Sequence, residues 1–210
     1  MNEHSFMTGK RDAILQSALE LFEEYSYGRT PVPLVAKRAG VAAGTIYRYF
    51  PDKESLVNEL YQHWKRQFAE SIFEGLNAEG DPETVFRNCW ARLCGFAVDH
   101  TDAFTFLETH HHASYLNDQS REITRDLDLA MEALILEWQT NNHVRNGDPA
   151  TLLAQVFGGF IGVVKHRRAN NMPITRQLDQ QTADAAWSLL RAPLTNQTLK
   201  NKNPTTKESP

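Results

Sequence analysis

The chain has 210 residues, of which 41% are hydrophobic, and a formal net charge of −4 at pH 7. This composition predicts a globular protein with a sizeable core and excludes a chain that is disordered throughout. The negative balance argues at first against a nucleic-acid partner. The acids cluster after Phe50 and on the outer side of the first predicted helix, however, which leaves room for a basic face around Arg38, Arg48 and Lys53.

No targeting or membrane signal stands out. The N-terminal stretch MNEHSFMTGK lacks the apolar core of a signal peptide, and the longest apolar run, Val156 to Val164, is far short of the roughly 20 residues that a membrane span needs. We therefore expect a cytoplasmic protein without a membrane partner. Cys89 and Cys94 lie five residues apart in a helical pattern, which fits neither a redox pair nor a zinc site, so we expect reduced core thiols.

The first helical pattern, AILQSALELF from Ala13 to Phe22, is followed by signals for two short helices. Pro31 suits the first turn of a helix, because its missing N–H would be unpaired there, and Thr30 before it is the predicted cap. Gly40 ends this second helix. Small apolar residues on one face, namely Val35, Ala36 and Ala39, let a neighbouring helix approach closely.

The third predicted helix has a buried and an exposed face. Ile46 and Phe50, four residues apart, share the buried face. The outward face combines small residues, a hydroxyl, phenols and a guanidinium, which suits a DNA groove because small residues permit close approach while polar ones bind phosphates or base edges. Two short helices joined by a tight turn are the layout of a helix-turn-helix DNA reader. The outward residues are Ala43, Gly44, Thr45, Tyr47, Arg48 and Tyr49.

The run AGVAAGTIYRYF with PDKESL, preceded by AILQSALELF, resembles the DNA-binding domain of the tetracycline-repressor (TetR) family of bacterial transcriptional regulators. The resemblance covers Lys10 to Trp64. It implies that Thr45, Tyr47 and Tyr49 contact phosphates or bases, and that Lys53 grips the DNA backbone at the start of the fourth helix. Packing against the fourth helix is the alternative role for the two tyrosines.

Two departures from the family pattern lie in the predicted helix-turn-helix. Ala42 stands where a serine or threonine cap is usual, and Pro33 occupies the first DNA-facing position of the second helix. Both changes remove polar groups that could reach DNA. We therefore expect specificity to rest on fewer base contacts and on DNA shape.

The rest of the chain is predicted to be helical. Asp52 caps a long fourth helix, while Asp81-Pro82 and Asp148-Pro149 each combine a cap with a first-turn proline. We predict an all-α protein in which an N-terminal three-helix helix-turn-helix domain, residues 1–52, precedes a C-terminal helical ligand-binding and dimerisation domain, residues 53–194. The tail, residues 195–210, has almost nothing to bury and is predicted to be disordered.

The segment from Asp148 to Arg168 carries both a large apolar stripe and small residues at every fourth position. A buried helix of a monomer would explain this pattern. The resemblance instead implies that the last two helices pair with their copies in a four-helix bundle, so that a homodimer reads a palindromic operator. The predicted interface residues are Leu152, Val156, Gly158, Phe160, Gly162, Ala186 and Leu189.

The resemblance also implies a small-molecule effector among the middle helices. Residues of this kind are more often plain core, which is the alternative. Because this region shows nearly no buried acid or base, we expect a largely apolar effector. The predicted lining is Phe86, Trp90, Phe104, Leu107, Met131, Leu134 and Trp138, with Phe106 beside them.

A histidine cluster offers a rival function. Glu108 and His112 have the i, i+4 spacing of two metal ligands, but consecutive residues such as His110 and His111 point about 100° apart on a helix and cannot all bind one ion. A partly exposed helix end is the simpler explanation, so we expect no metal, no cofactor and no catalysis. The sequence thus predicts a DNA-binding transcriptional regulator, a repressor released by a small molecule; the alternatives are a metal-dependent hydrolase and an architectural DNA binder without an effector.

Overall fold

The structure, a computed structural model, describes residues 9–110 and 113–193. These residues form nine α-helices, and the only extended pairing within the described ranges is one isolated bridge between Val144 and Arg191. The predicted all-α class is confirmed. The helices are α1 Lys10–Arg29, α2 Val32–Arg38, α3 Ala43–Tyr49, α4 Lys53–Phe73, α5 Pro82–Asp99, α6 Thr101–His110, α7 Asp118–Thr140, α8 Pro149–Ala169 and α9 Gln177–Leu190.

Helices α1 to α3 form a small three-helix unit, and its α1 packs on α4 and α6. Ile46 and Phe50, the predicted buried face of α3, are each only 1% exposed. Gly40 lies two residues after the end of α2 and has φ +67°, a conformation that glycine adopts without steric cost. This core fixes α3 against α1 and leaves the opposite face of α3 outward.

Local capping signals set the starts of the long helices. The side chain of Asp52 accepts a hydrogen bond from the backbone N–H of Ser55 at 2.7 Å. Asp81 and Asp148 act in the same way at the starts of α5 and α8. Each bond satisfies one of the unpaired amides of a helical first turn.

The cap predicted at Thr30 is wrong. Thr30 is fully buried, and its hydroxyl donates to the carbonyls of Leu21 at 3.0 Å and Ser26 at 2.8 Å. Helix α1 is kinked at Ser26, which has φ 68° and ψ 160°. The threonine therefore closes the end of α1, and α2 begins after Pro31 without a side-chain cap.

Helix α4 joins the three-helix unit to the body. Its apolar stripe, predicted from four-residue spacing, is buried: Leu56 and Leu60 are 0% exposed, and Trp64, Phe68 and Ile72 follow toward α5. The body is built from α5, α6 and α7 around α4, with α8 and α9 packed on α7 and α5. The division at residue 52 stays a prediction, since α4 belongs to both units.

No helix in the described ranges is both long enough and apolar enough to cross a membrane. Cys89 and Cys94 are free and buried, as predicted; burial raises the pKa of the Cys94 thiol to about 12. The predicted disordered tail, residues 195–210, lies outside the described residues.

Candidate nucleic-acid interface and body

The outward face of α3 is available to a partner. Tyr47 is 52% exposed and Tyr49 is 43% exposed, and Ala43, Gly44 and Arg48 are exposed as well. Thr45 is half-buried at its edge. Tyr49 touches Phe50, with ring centroids 6.4 Å apart, but most of both phenols faces solvent. This exposure favours a contact role for the tyrosines over a packing role.

The charges beside this face differ from the expected basic face. Arg38 donates to the carboxylates of Glu20 at 3.3 Å and Glu24 at 2.9 Å on α1. The hydrogen bond from Tyr25 lowers the pKa of Glu24, and so does the bond from Arg38. Arg38 is therefore held by α1 and is wrongly assigned to the basic face. Within the described ranges, no carboxylate lies at ion-pair distance from Arg48, which keeps its charge available.

Lys53 is held by the end of α1. Its Nζ donates to the backbone carbonyl of Tyr27 and lies 4.1 Å from the centroid of the Tyr27 ring. Partial burial lowers the pKa of the Lys53 ammonium. No local pattern in the sequence signals this role of Tyr27, because the two residues are 26 positions apart.

Tyr27 in turn stacks on Tyr115, in the loop between α6 and α7, with ring centroids 4.1 Å apart. The Tyr115 hydroxyl is hydrogen-bonded to Nδ1 of His110, the last residue of α6. His110 is only 3% exposed, and burial lowers its pKa to about 4. The expectation of an exposed histidine end is therefore wrong for His110; His111 and His112 lie outside the described residues.

A buried polar network ties the same loop to α4. The amide of Asn58 donates to the Tyr115 carbonyl at 2.8 Å, and its oxygen accepts from the Asn117 N–H at 2.8 Å. The Ser120 hydroxyl also donates to Asn58 at 2.7 Å. Gln62 reaches Ser120 at 3.1 Å. Every polar group has a partner, as buried networks require, so the α6–α7 loop is fixed to α4 one turn beyond Lys53.

A salt bridge between α1 and α8, the α1–α8 joint, connects the three-helix unit to the body. Glu23 on α1 lies 3.4 Å from the guanidinium of Arg168 at the end of α8, and Arg168 also donates to the Thr105 hydroxyl on α6. The Glu23 side chain is only 11% exposed. Its pKa is raised to about 7, chiefly by burial; Arg168 lowers the pKa and Asp102 raises it within that net shift.

The aromatic residues of the predicted effector lining are joined by ring contacts. Phe86 and Trp90 stack at 5.4 Å, and Phe86 and Trp138 both contact Trp187 of α9. Trp90 and Phe104 both contact Phe160 of α8, at 5.5 Å and 5.8 Å. Leu107 is buried with Phe106 on α6, whereas Met131 and Leu134 on α7 are partly buried. The ligand role of these residues stays a prediction.

Two charged residues of the body, Lys65 on α4 and Glu108 on α6, are partly buried. Burial raises the pKa of Glu108 and lowers that of Lys65. The nearby charges of Lys65 and Lys165 partly offset the shift of Glu108, and Asp128 acts likewise on Lys65. Helices α4, α6, α7 and α8 thus bring both signs of charge together.

The predicted dimer residues divide into two sets. Leu152, Val156, Phe160 and Ala186 are between 2% and 7% exposed and pack inside the protomer, so their assignment to an interface is corrected. Gly158 and Gly162 face open space, with no atom within 4 Å of an added Cβ, and Leu189 is 42% exposed. Only this second set is available to a partner chain.

No group of three or more His, Cys, Asp or Glu side chains within residues 9–110 and 113–193 is arranged to hold a metal ion. Glu108 and His110 are two positions apart on α6, so their side chains point to nearly opposite sides of the helix, and His110 is engaged by Tyr115.

Comparison with known families decides the class of protein. The family model for bacterial regulatory proteins of the tetR family matches residues 14–60. The model for the tetracyclin repressor-like C-terminal domain matches residues 61–192, more than half of the chain. The chain belongs to the TetR family. It is thus a DNA-binding transcriptional regulator with a ligand-binding body, in a family of regulators and not of enzymes, which disfavours both the hydrolase and the architectural alternatives.

Individual relatives agree with this TetR assignment. The fatty acid metabolism regulator protein of Bacillus subtilis (strain 168) is 28% identical over 153 residues, covering 70% of this chain and 77% of that protein. The crystal structure of a TetR family regulator from Marinobacter aquaeolei VT8 covers 88% of this chain and 96% of its own, with a TM-score of 0.76 and 18% identity. FadR of Bacillus subtilis, solved with stearoyl-CoA, covers 84% and 97%, with a TM-score of 0.70 and 22% identity. The two structures establish the shared fold.

Proposed function

We propose that this TetR-family protein is a cytoplasmic repressor that binds a palindromic operator as a homodimer and leaves it when an acyl-chain effector enters the body. The observation that carries the DNA-binding half is the exposed face of α3 on a rigidly packed three-helix unit. Two such units, related by twofold symmetry, would place two α3 helices in successive major grooves.

The chemistry of the α3 face suits this role. Ala43 and Gly44 give the backbone a close approach to DNA, while Thr45, Tyr47 and Tyr49 can donate hydroxyl hydrogen bonds to phosphates. Arg48 carries an uncompensated positive charge that attracts the phosphate backbone. The exposure of Tyr47 and Tyr49 supports contact with DNA, since neither phenol is needed to fill the core.

Replacing either tyrosine with alanine is expected to weaken operator binding about tenfold, which corresponds to roughly 1.4 kcal/mol for one lost contact. Fluorescence anisotropy with a labelled operator duplex would measure this for Tyr47→Ala and Tyr49→Ala. Their melting temperatures should match that of the wild type because both rings are largely exposed. Tyr25→Ala is the matched control, since Tyr25 is 40% exposed on α1. Equal affinity in all four proteins would remove α3 from the interface.

The effector class follows from the contents of the body and from the relatives. Apolar side chains fill most of it, and Met131 on α7 is flexible enough to give way to an entering chain. The partly buried ammonium of Lys65, with Lys165 nearby, suits the anionic end of an amphipathic molecule. The relatives include the fatty acid metabolism regulator protein of Bacillus subtilis, and FadR from Bacillus subtilis was solved in complex with stearoyl-CoA. We therefore propose a long-chain fatty acyl thioester.

Titrating stearoyl-CoA into the protein–operator complex is expected to release the DNA, whereas coenzyme A without an acyl chain should not. Stearate serves as a third ligand that separates the need for the chain from the need for the thioester. Lys65→Gln should raise the half-effective concentration of stearoyl-CoA about tenfold if an anionic group pairs with this ammonium. Arg66→Gln, at the exposed neighbouring position on α4, should leave it unchanged.

Failure of every acyl compound to release DNA would exclude this effector class while leaving operator binding intact. A ligand can release the DNA only if it binds more tightly to the arrangement of the two three-helix units that does not bind DNA, since equal affinity for both arrangements does not shift the equilibrium between them.

A further inference from the structure

Tyr27 lies between the body and the lysine assigned to the DNA backbone. The Lys53 ammonium and the Tyr115 ring are each 4.1 Å from the centroid of the Tyr27 ring. A ring stacked at 4.1 Å covers the face of Tyr27 that it lies on and leaves no space there for an ammonium at the same distance. Tyr27 is therefore sandwiched, with Lys53 on one face and Tyr115 on the other.

The backbone at this point strengthens the grip on Lys53. The kink at Ser26, with φ 68°, turns the last residues of α1 so that the Tyr27 carbonyl points to the Lys53 ammonium and accepts its hydrogen bond. Carbonyls at the end of a helix carry partial negative charge, which favours a cation there. A cation over an aromatic face adds a second attraction. Tyr27 thus attracts the Lys53 ammonium both through its backbone carbonyl and through the face of its ring.

We propose that Tyr27 is a positioning residue for DNA binding, which holds the Lys53 ammonium in the orientation that meets a phosphate and makes that orientation depend on the α6–α7 loop. The inference rests on the proposed contact of Lys53 with the DNA backbone. The ammonium has three N–H groups, of which the Tyr27 carbonyl uses one, so others remain for a phosphate oxygen.

Restraint of Lys53 matters because a free lysine side chain loses rotamer freedom when it binds. An ammonium already fixed at the start of α4 has lost that freedom before DNA arrives, and preorganised contacts bind more tightly for this reason. The ring of Tyr27 also shields one side of the ammonium from water, which strengthens its attraction to an anion.

The link to the body runs through Tyr115. Its ring supports the far side of Tyr27, its hydroxyl is bonded to His110 at the end of α6, and its carbonyl is bonded to Asn58 on α4. A displacement of α6 therefore moves the surface on which Tyr27 rests. Lys53 would follow, and the phosphate contact would be made or lost without any change in α3.

The test is a double-mutant cycle on operator affinity, measured over a range of salt concentrations with the full chain. Lys53→Ala removes one phosphate contact, so the slope of log affinity against log salt should become shallower by about one unit. Tyr27→Leu should weaken binding about fivefold in the wild-type background and make the slope shallower in the same direction. In the Lys53→Ala background, Tyr27→Leu should have no further effect.

Tyr27→Phe is the conservative control, because it keeps both the ring and the backbone carbonyl that meet Lys53, and it should bind as the wild type does. Tyr115→Leu approaches the same ring from the body side and should also weaken binding only where Lys53 is present. This second variant keeps the test decisive if Tyr27→Leu folds poorly.

The outcomes separate this proposal from the DNA-binding assignment. An unchanged slope for Lys53→Ala would overturn the phosphate contact and the positioning role together. A shallower slope for Lys53→Ala with additive effects of Tyr27→Leu and Tyr115→Leu would overturn the positioning role only. Tighter binding by Tyr27→Leu would mean that Tyr27 withholds Lys53 from DNA, which also contradicts the proposal.

Discussion

The Gly158→Leu variant is expected to be a monomer at concentrations where the wild type is a dimer. Gly158 lies on the exposed side of α8, and nothing within the described protomer approaches an added Cβ within 4 Å. A glycine in the middle of a helix costs roughly 1 kcal/mol relative to alanine, which close approach of a second helix would offset. A leucine side chain at that point would hold the two helices apart.

The same substitution should leave the protomer intact. Leucine is a better helix former than glycine and meets no neighbour within the chain, so the helix itself should gain stability. Analytical ultracentrifugation measures the dimer, and far-UV circular dichroism measures the helix content. Ala91→Leu, which places the same side chain on the exposed side of α5, is the matched control and should remain dimeric.

Loss of the dimer should also reduce operator affinity by a factor of roughly 10² or more, because the second half-site would no longer be bound at high effective concentration. A Gly158→Leu protein that sediments as an unchanged dimer would place the interface elsewhere. The exposed leucines of α7, Leu129 at 55% and Leu136 at 53%, would then be the next surface to test.

The elements that the sequence predicts correctly are those with local causes. An aspartate cap followed by proline, as at Asp81 and Asp148, satisfies its own helix within three residues, so the start of the helix is visible in the sequence. The buried and exposed faces of α3 follow from the four-residue spacing of Ile46 and Phe50 in the same way.

The predictions that failed concern partners distant in sequence. Thr30 precedes a helix and has the chemistry of a cap, yet its hydroxyl closes the kinked end of α1. Arg38 resembles a free cation until α1 brings Glu20 and Glu24 beside it. Local propensity is a weak guide in such cases, because tertiary contacts supply a stronger alternative.

The dimer stripe shows a third kind of limit. Large apolar residues such as Leu152, Val156 and Phe160 form the most visible pattern on α8, but they pack within the protomer. The small residues Gly158 and Gly162, a weaker signal, are the ones left exposed. Periodicity identifies an apolar face, whereas it cannot tell whether that face meets the same chain or another.

Glu23 is expected to make the protein less stable as the pH rises toward neutrality. Its pKa is raised from 4.5 to about 7 in the fold, chiefly by burial, so the folded state binds a proton that the unfolded state has lost. The stability that this proton contributes is fully present below pH 4.5 and is lost as the pH rises through 7. Over this window the loss amounts to about 3 kcal/mol.

His110 is expected to act in the opposite direction. Burial lowers its pKa from 6.5 to about 4, so the folded state resists the proton that the unfolded state accepts. The stability that the neutral ring contributes is fully present above pH 6.5 and is lost as the pH falls through 4. The two windows nearly coincide, so the two contributions should largely cancel in the wild type.

Single substitutions should reveal each contribution. The stability of Glu23→Gln relative to the wild type should rise by about 3 kcal/mol between pH 4.5 and 7, because glutamine does not ionise in the buried joint with Arg168. The deficit of His110→Gln should shrink by a similar amount as the pH falls from 6.5 to 4. Urea unfolding at one fixed protein concentration, repeated across this range, would measure both differences.

If Glu23→Gln ran parallel to the wild type at every pH, the carboxyl of Glu23 would be solvated in solution and the joint between α1 and α8 would be open. In a closed joint, the double variant should instead lose both pH dependences, because each substitution removes one of the two titrating groups.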